Sequence, residues 1–214
     1  MQRTLSWAAP VLACCAIGLT ALNVRREVHI RQNTWPKHVA DWTKYAATGN
    51  HLGPQGAPVS LVVFTDYECP FCRQLSESLR VLNPQLAAKV RVTYRNYPLS
   101  AHTHAFEAAV AAQCAAWQGR FRAFDSTLTT LPAGTLGRLA WPTLAAGSGI
   151  TDQQKFAACL RSPVAISTVV ADTIAGNRLG IPATPTLLIN DKKYAGIPPN
   201  LSTLLAEAVE RAKQ

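Results

Sequence analysis

The run Val59-Ser60-Leu61-Val62-Val63-Phe64 is short, apolar and β-branched, and turn residues bound it. That pattern suits a strand covered on both faces. Just downstream, Pro70 follows Cys69, and proline is tolerated at the first position of a helix. The spacing predicts a helix through Leu75, Leu79 and Leu82, stopping or kinking at Asn83-Pro84. Val90 to Arg95 then alternates as a second strand. Strand, helix, strand in this order is a βαβ unit, and it commits the chain to a sheet with helices packed on it.

The middle of the chain is different in kind. From Ala101 to Asn177 the sequence is Ala-rich and helical, with helices predicted over His104–Trp117, Gly119–Leu131, Thr151–Leu160 and Pro163–Leu179. The last has proline near its start and Gly180 at its end. Strand signals return in Thr186–Asn190, a two-residue turn at Asn190-Asp191 or Asp191-Lys192 leads to Lys193–Ala195, and Leu201–Ala212 closes as an amphipathic helix. The economical α/β reading is one mixed sheet completed by both ends, with a helical block, about residues 100–178, inserted between them.

Composition limits the alternatives. With 214 residues, 48% hydrophobic and 15% charged, the chain suits one domain with an appendage and not a disordered polymer. The formal charge is +9, yet Arg73, Arg80, Arg91, Arg95, Arg120 and Lys192 are scattered without a dense run or aromatic stripe, which argues against nucleic acid. Gly49 to Pro58 is rich in Gly and Pro, so the compact domain is expected over residues 53–214. Residues 25–52 read as a linker with a short helix over Trp35–Tyr45, placing Trp35, Val39 and Trp42 on one side.

Residues 1–24 read as a signal peptide or membrane anchor. Leu5 to Leu22 carries no charge, and as a helix it would reach about 27 Å, a little short of a hydrocarbon core of roughly 30 Å. Val11-Leu12-Ala13-Cys14 only faintly resembles a lipidation box. Arg25, Arg26 and Arg31 outnumber Arg3, so the positive-inside tendency would keep the carboxyl side in the cytoplasm. The cysteine chemistry favours export to an oxidising compartment instead.

Cys69-Pro70-Phe71-Cys72 stands where the buried strand gives way to the helix. The first N–H groups of a helix lack intrahelical acceptors and carry partial positive charge, so a sulfur there is stabilised as the thiolate, the species that attacks disulfides. Cys69 is expected as the exposed nucleophile and Cys72, one turn on, as the resolving thiol. The quartet could also be half of a zinc site or a structural disulfide. A zinc site usually draws a second close pair, whereas Cys114 and Cys159 are isolated. His102 and His104 read as surface or cap residues outside the catalytic set.

A distant segment favours redox chemistry. Gly180-Ile181-Pro182-Ala183-Thr184-Pro185-Thr186 resembles the cis-proline loop of thioredoxin-fold enzymes. Together with Phe64–Arg73 (FTDYECPFCR), Tyr94–Leu99 (YRNYPL), His102–Phe121 and the PTLLIND stretch, it resembles a DsbA-like thiol:disulfide oxidoreductase over residues 53–214. The resemblance implies a thioredoxin-like fold with an inserted helical domain and a redox-active disulfide Cys69–Cys72. It also implies a cis Thr184–Pro185 bond beside Cys69, client binding around Pro70, Phe71, Thr184 and Pro185, and a structural disulfide Cys114–Cys159. No metal or cofactor is implied. The partners would be cysteine-containing exported proteins and a membrane redox partner. The chain would be a periplasmic or extracytoplasmic monomer, anchored to the inner membrane by residues 5–22 if that segment is not cleaved.

Two positions depart from the family pattern. Phe71 stands where the strongest oxidants have a histidine, so the Cys69 thiolate loses a donor and the pair should be less oxidising. Val63 stands where the family often buries an acid, leaving Asp66 or Glu68, expected in the loop before the helix, or water to move protons. An oxidant of secreted proteins is the expected activity. The alternatives are a reductase or isomerase of the same fold, and a membrane-tethered module binding zinc or a partner.

Overall fold

A computed structural model describes residues 36–214. The segment expected as signal or anchor, with Cys14, Cys15 and Trp35, lies outside the described residues. The elements run β1 (Lys37–His38), α1 (Thr43–Ala46), β2 (Asn50–Leu52), β3 (Val59–Thr65), α2 (Pro70–Arg80), α3 (Pro84–Ala87) and β4 (Val90–Asn96). Next come α4 (Ala105–Ala116), α5 (Phe121–Thr130), α6 (Trp141–Gly147), α7 (Gln153–Leu160), α8 (Pro163–Leu179), β5 (Thr186–Ile189), β6 (Lys192–Ala195) and α9 (Leu201–Arg211).

The strands form one mixed sheet in the order β1-β6-β5-β3-β4-β2. β3 and β4 are parallel, with Val59 opposite Val90 and Phe64 opposite Arg95, and α2 makes the crossover. β5 is antiparallel to β3, placing Leu187 opposite Val63, and returns through Asn190-Asp191 into β6. Asn190 has φ 50, in the left-handed region that Asn tolerates better than most residues. The sheet is thus completed by both ends of the chain, with α4 to α8 inserted between β4 and β5.

The unbroken apolarity of β3 follows from its position. Val59, Leu61 and Val63 face a core shared with Leu75 of α2, Leu187, Ile189 and Leu205 of α9. Val62 and Phe64 face a second cluster with Tyr45, Leu179 and Leu188. Alternate residues therefore serve opposite faces, both covered. In the helical block, α4 is buried nearly all round through Ala108, Ala109, Ala111, Ala112 and Ala115, small side chains that let neighbouring helices close on it. Phe124 of α5 and Phe156 of α7 pack with ring centroids 5.7 Å apart.

Several boundaries differ from the sequence reading. The compact unit begins at Pro36, not residue 53, because Lys37–His38 pairs with β6 and Asn50–Leu52 with β4. The helix expected over Trp35–Tyr45 is replaced by an edge strand and the single turn Thr43–Ala46. α2 ends at Arg80, before Leu82, and Asn83 caps a separate turn by accepting from the N–H groups of Gln85 and Leu86. α6 had no counterpart in the sequence reading.

The block is tied to the sheet by charge as well as packing. Arg95 Nε of β4 lies 2.6 Å from Asp172 Oδ1 of α8, and both side chains are 6% exposed. Asp172 also accepts from the backbone N–H of Asn96 at 2.9 Å. Burial pushes the Asp172 carboxyl above the ordinary carboxylate range, while Arg95 and Asn96 pull it back.

Candidate active site

Cys69 is the N-cap of α2 and Pro70 its first helical residue, so the chain turns from extended (φ −69, ψ 121) into the helix at the sulfur-bearing residue. Phe71, next in line, is 62% exposed. Cys69 and Cys72 are free thiols.

Thr184–Pro185 is a cis peptide, and the Thr184 carbonyl accepts from Cys69 Sγ at 3.2 Å. The fold thereby brings together residues more than a hundred positions apart. The same contact corrects one expectation: Cys69 is 4% exposed and hardly more open than Cys72 at 1%. The Thr184 segment closes over the sulfur, so exposure does not distinguish nucleophile from resolving thiol.

Electrostatics does. Hydrogen bonding from Cys72 leads the effects on Cys69, joined by Thr184 and by the helix N–H groups of Cys72 and Phe71; against burial they hold the Cys69 thiol at about 5. Cys72 moves the other way, pushed up by burial and then by its neighbour Cys69, although the Asp66 N–H donates to its sulfur at 3.4 Å.

Phe71, Thr184 and Pro185 line a groove of about 880 Å³ with Val81, Ile197 and Pro198, so it begins beside the cysteine pair and is walled largely by apolar side chains. Pro70 is exposed at the helix tip. Asp66 and Glu68 lie in the loop between β3 and α2. His104 is the N-cap of α4, with its backbone N–H donating to Glu68 Oε2 at 2.6 Å.

His102 is the residue whose place the sequence did not suggest. Its Nδ1 lies 2.8 Å from Asp66 Oδ2, beside the cysteine pair. The available signal was chemical: an acid just before the cysteines and a histidine just after the second strand of a βαβ unit, both at the same end of the sheet. In the helical block, Cys114 of α4 and Cys159 of α7 form a disulfide with Sγ–Sγ 2.00 Å. Among the described residues no group of three or more His, Cys, Asp or Glu side chains is placed to hold a metal ion.

The thioredoxin family profile matches residues 46–206. Over 149 residues the chain is 32% identical to Na(+)/H(+) antiporter NhaA 1 of Mycolicibacterium gilvum, covering 67% of this chain and 24% of that protein. It thus spans about a quarter of the length of that curated relative. Among solved structures, a thioredoxin-like oxidoreductase from Silicibacter pomeroyi superposes with a TM-score of 0.69 at 24% identity, covering 81% of this chain and 98% of that one. The thiol-disulfide exchange protein alpha-DsbA2 from Wolbachia pipientis superposes with a TM-score of 0.67 at 18% identity, covering 80% and 92%. The profile match over most of the described residues, together with a thioredoxin sheet that carries a helical block between β4 and β5, identifies the chain as a member of the thioredoxin family.

Proposed function

We propose that this protein exchanges disulfides with cysteine-containing client proteins outside the cytoplasm, as an oxidant acting as a monomer. The observation that carries the reading is the opposed pair of thiols, Cys69 held at about 5 and Cys72 pushed up, at the tip of α2 beside Thr184 and the groove. With the pair oxidised, a client thiolate attacks Cys69 Sγ, and the Cys69–Cys72 bond breaks. Cys72 leaves with the electron pair and takes a proton. A second client thiolate then attacks the client sulfur of the mixed disulfide and expels Cys69 as thiolate. Two client thiols have become one disulfide, and two electrons rest on the cysteine pair. A leaving thiol of low pKa speeds that second step, and stabilising the reduced form makes the pair oxidising.

Pro70, Phe71, Thr184 and Pro185 would bind the client, with an extended segment lying along the groove and its apolar side chains against Val81, Ile197 and Pro198. A membrane redox partner would return the electrons and reoxidise the pair.

Replacing Cys69 with Ser should abolish refolding of a reduced, disulfide-requiring client; retained activity would remove the assignment. Direction is read from the potential of the pair. An oxidant should approach roughly −120 mV, and a value near roughly −270 mV would assign a reductase instead.

A further inference from the structure

The exchange steps leave Asp66 and His102 without a role, yet both are built into the site. The Asp66 side chain is fully buried, and it accepts four bonds. Oδ1 takes the N–H of Glu68 at 2.8 Å and of Cys69 at 3.3 Å. Oδ2 takes the N–H of Leu99 at 2.8 Å and His102 Nδ1 at 2.8 Å. One carboxylate thus fixes the loop that presents Cys69, the loop after β4 and the ring of His102. Because the carboxylate only accepts, Nδ1 is the donor, and Nε2 is left to gain or lose a proton. The His102 side chain is 26% exposed, enough to exchange that proton with solvent.

We infer that His102, oriented by Asp66, is a positioning residue that supplies positive charge to the Cys69 thiolate, a service Phe71 cannot perform because it has no polar side-chain atom. The inference rests on the exchange reading. Burial works against the imidazolium, but the hydrogen bond and charge of Asp66, then Cys69 and Glu68, win and raise its pKa above 6.5. Those three are the titratable groups that favour its charge. Neighbouring His104 is engaged elsewhere, with its ring 3.9 Å from Glu107. While His102 is protonated it offsets Asp66, and the Cys69 thiolate meets a neutral pair. Once His102 loses its proton, the same thiolate faces the bare carboxylate. The support is therefore strongest between about pH 5, where Cys69 ionises, and the raised pKa of His102.

Coupling of this kind is reciprocal. In the full-length protein, the His102 ring followed by NMR should titrate at higher pH with the pair reduced than with the pair oxidised, since only the reduced form holds a thiolate. Identical titration in the two states overturns the inference without any variant being made. Alkylation of Cys69 by iodoacetamide, read from the mass of its peptide at each pH, gives the other side of the coupling. In H102Q the Cys69 midpoint should rise by about one pH unit, leaving about tenfold less thiolate below it. H102K, which restores the charge, should return the midpoint toward wild type. If H102Q titrates as wild type does, or if H102Q and H102K shift alike, the effect is not the charge of His102 and the inference fails. A wild-type protein that shows no Cys69 thiolate below pH 7 and no exchange overturns the exchange reading as well. Wild-type exchange with an unmoved H102Q removes only the role of His102.

Discussion

Among the described residues, two pairs of cysteines stand in opposite conditions. Cys114 and Cys159 are bonded to each other between α4 and α7, among alanines and the Phe124–Phe156 contact. Cys69 and Cys72 are buried, but their sulfurs meet helix N–H groups, the Asp66 amide and the Thr184 carbonyl. Cys69, Cys72 and Cys114 are all buried and Cys159 is half-buried, so polarity of the surroundings, more than burial, separates the pairs. A sulfur packed in hydrocarbon has little to stabilise a thiolate, whereas one at a helix tip does. On the proposed function, that contrast leaves a structural role to one pair and the chemistry to the other.

The largest expected effect separates the two thiols of the reactive pair. Cys69→Ala should form no mixed disulfide with a client. Cys72→Ala should accumulate one, because the thiol that would close the ring is gone. Mass analysis after mixing each reduced variant with a client in its disulfide form reads both results. If the two variants trapped the client equally, the asymmetry drawn from the helix tip would be wrong.

The next effect comes from the same sulfur as a pH dependence of stability. The Cys69 pKa in the reduced fold, about 5, lies below the value of an unfolded cysteine near roughly 8.5. A depressed acid contributes stability that is fully present above the unfolded pKa and is lost as pH falls through the folded one. Cys72 is shifted upward and does not titrate within that window. Reduced protein should therefore gain Tm relative to oxidised protein as pH rises from about 5 to 8, and thermal melts of both forms across that range test it. A difference independent of pH would mean that Cys69 stays a thiol.

Third in size is the contact that holds the helical block to the sheet. Asp172→Ala leaves Arg95 buried without its partner, and breaking a buried pair in this way costs about 3–5 kcal/mol. Denaturant titration measures the loss, and a change below about 1 kcal/mol would show that water reaches Arg95. Removing the structural disulfide with Cys114→Ala and Cys159→Ala together should cost less, about 2–4 kcal/mol, for a sequence separation of 45. Exchange activity below the melting transition should be unchanged. Lost activity in a fully folded double variant would break the division between the two pairs.

Much of this arrangement could be read from the chain, and the reasons are local. Pro163 and Gly180 mark the ends of α8 because each suits its terminal position, and Gly180 adopts the left-handed conformation there with φ 65. Pro70 likewise places the start of α2 at the cysteines. What escaped was decided by partners distant in sequence. Lys37–His38 and Asn50–Leu52 are too short to show alternation, and they are strands only because β6 and β4 offer them edges. The Asp66–His102 contact joins two loops, one after β3 and one after β4, that meet only once the strands pair, so no local period reveals it. The burial of Cys69 depends on where the Thr184 loop settles, which no pattern around Cys69 encodes.

The smallest effect tests how closely the block must approach the sheet. A Cβ added at Gly176 of α8 would lie 2.5 Å from Cδ2 of the Tyr97 ring and 2.9 Å from Ile181 Cδ1. Tyr97 cannot simply swing aside, because its hydroxyl donates to Asn177 Oδ1 at 2.7 Å and its ring meets Phe64 edge-on at 6.5 Å between centroids. Gly176→Ala should therefore destabilise by about 1–3 kcal/mol through overpacking, although alanine favours a helix interior over glycine by roughly 1 kcal/mol. The two terms have opposite signs, so the sign of the measured change decides between them. Pairing Gly176→Ala with Tyr97→Leu removes the ring, and the double variant should then be no less stable than Tyr97→Leu alone. If Gly176→Ala were stabilising by itself, α8 would have room to shift against β4, and the Arg95–Asp172 contact would be left as the stronger tie between block and sheet.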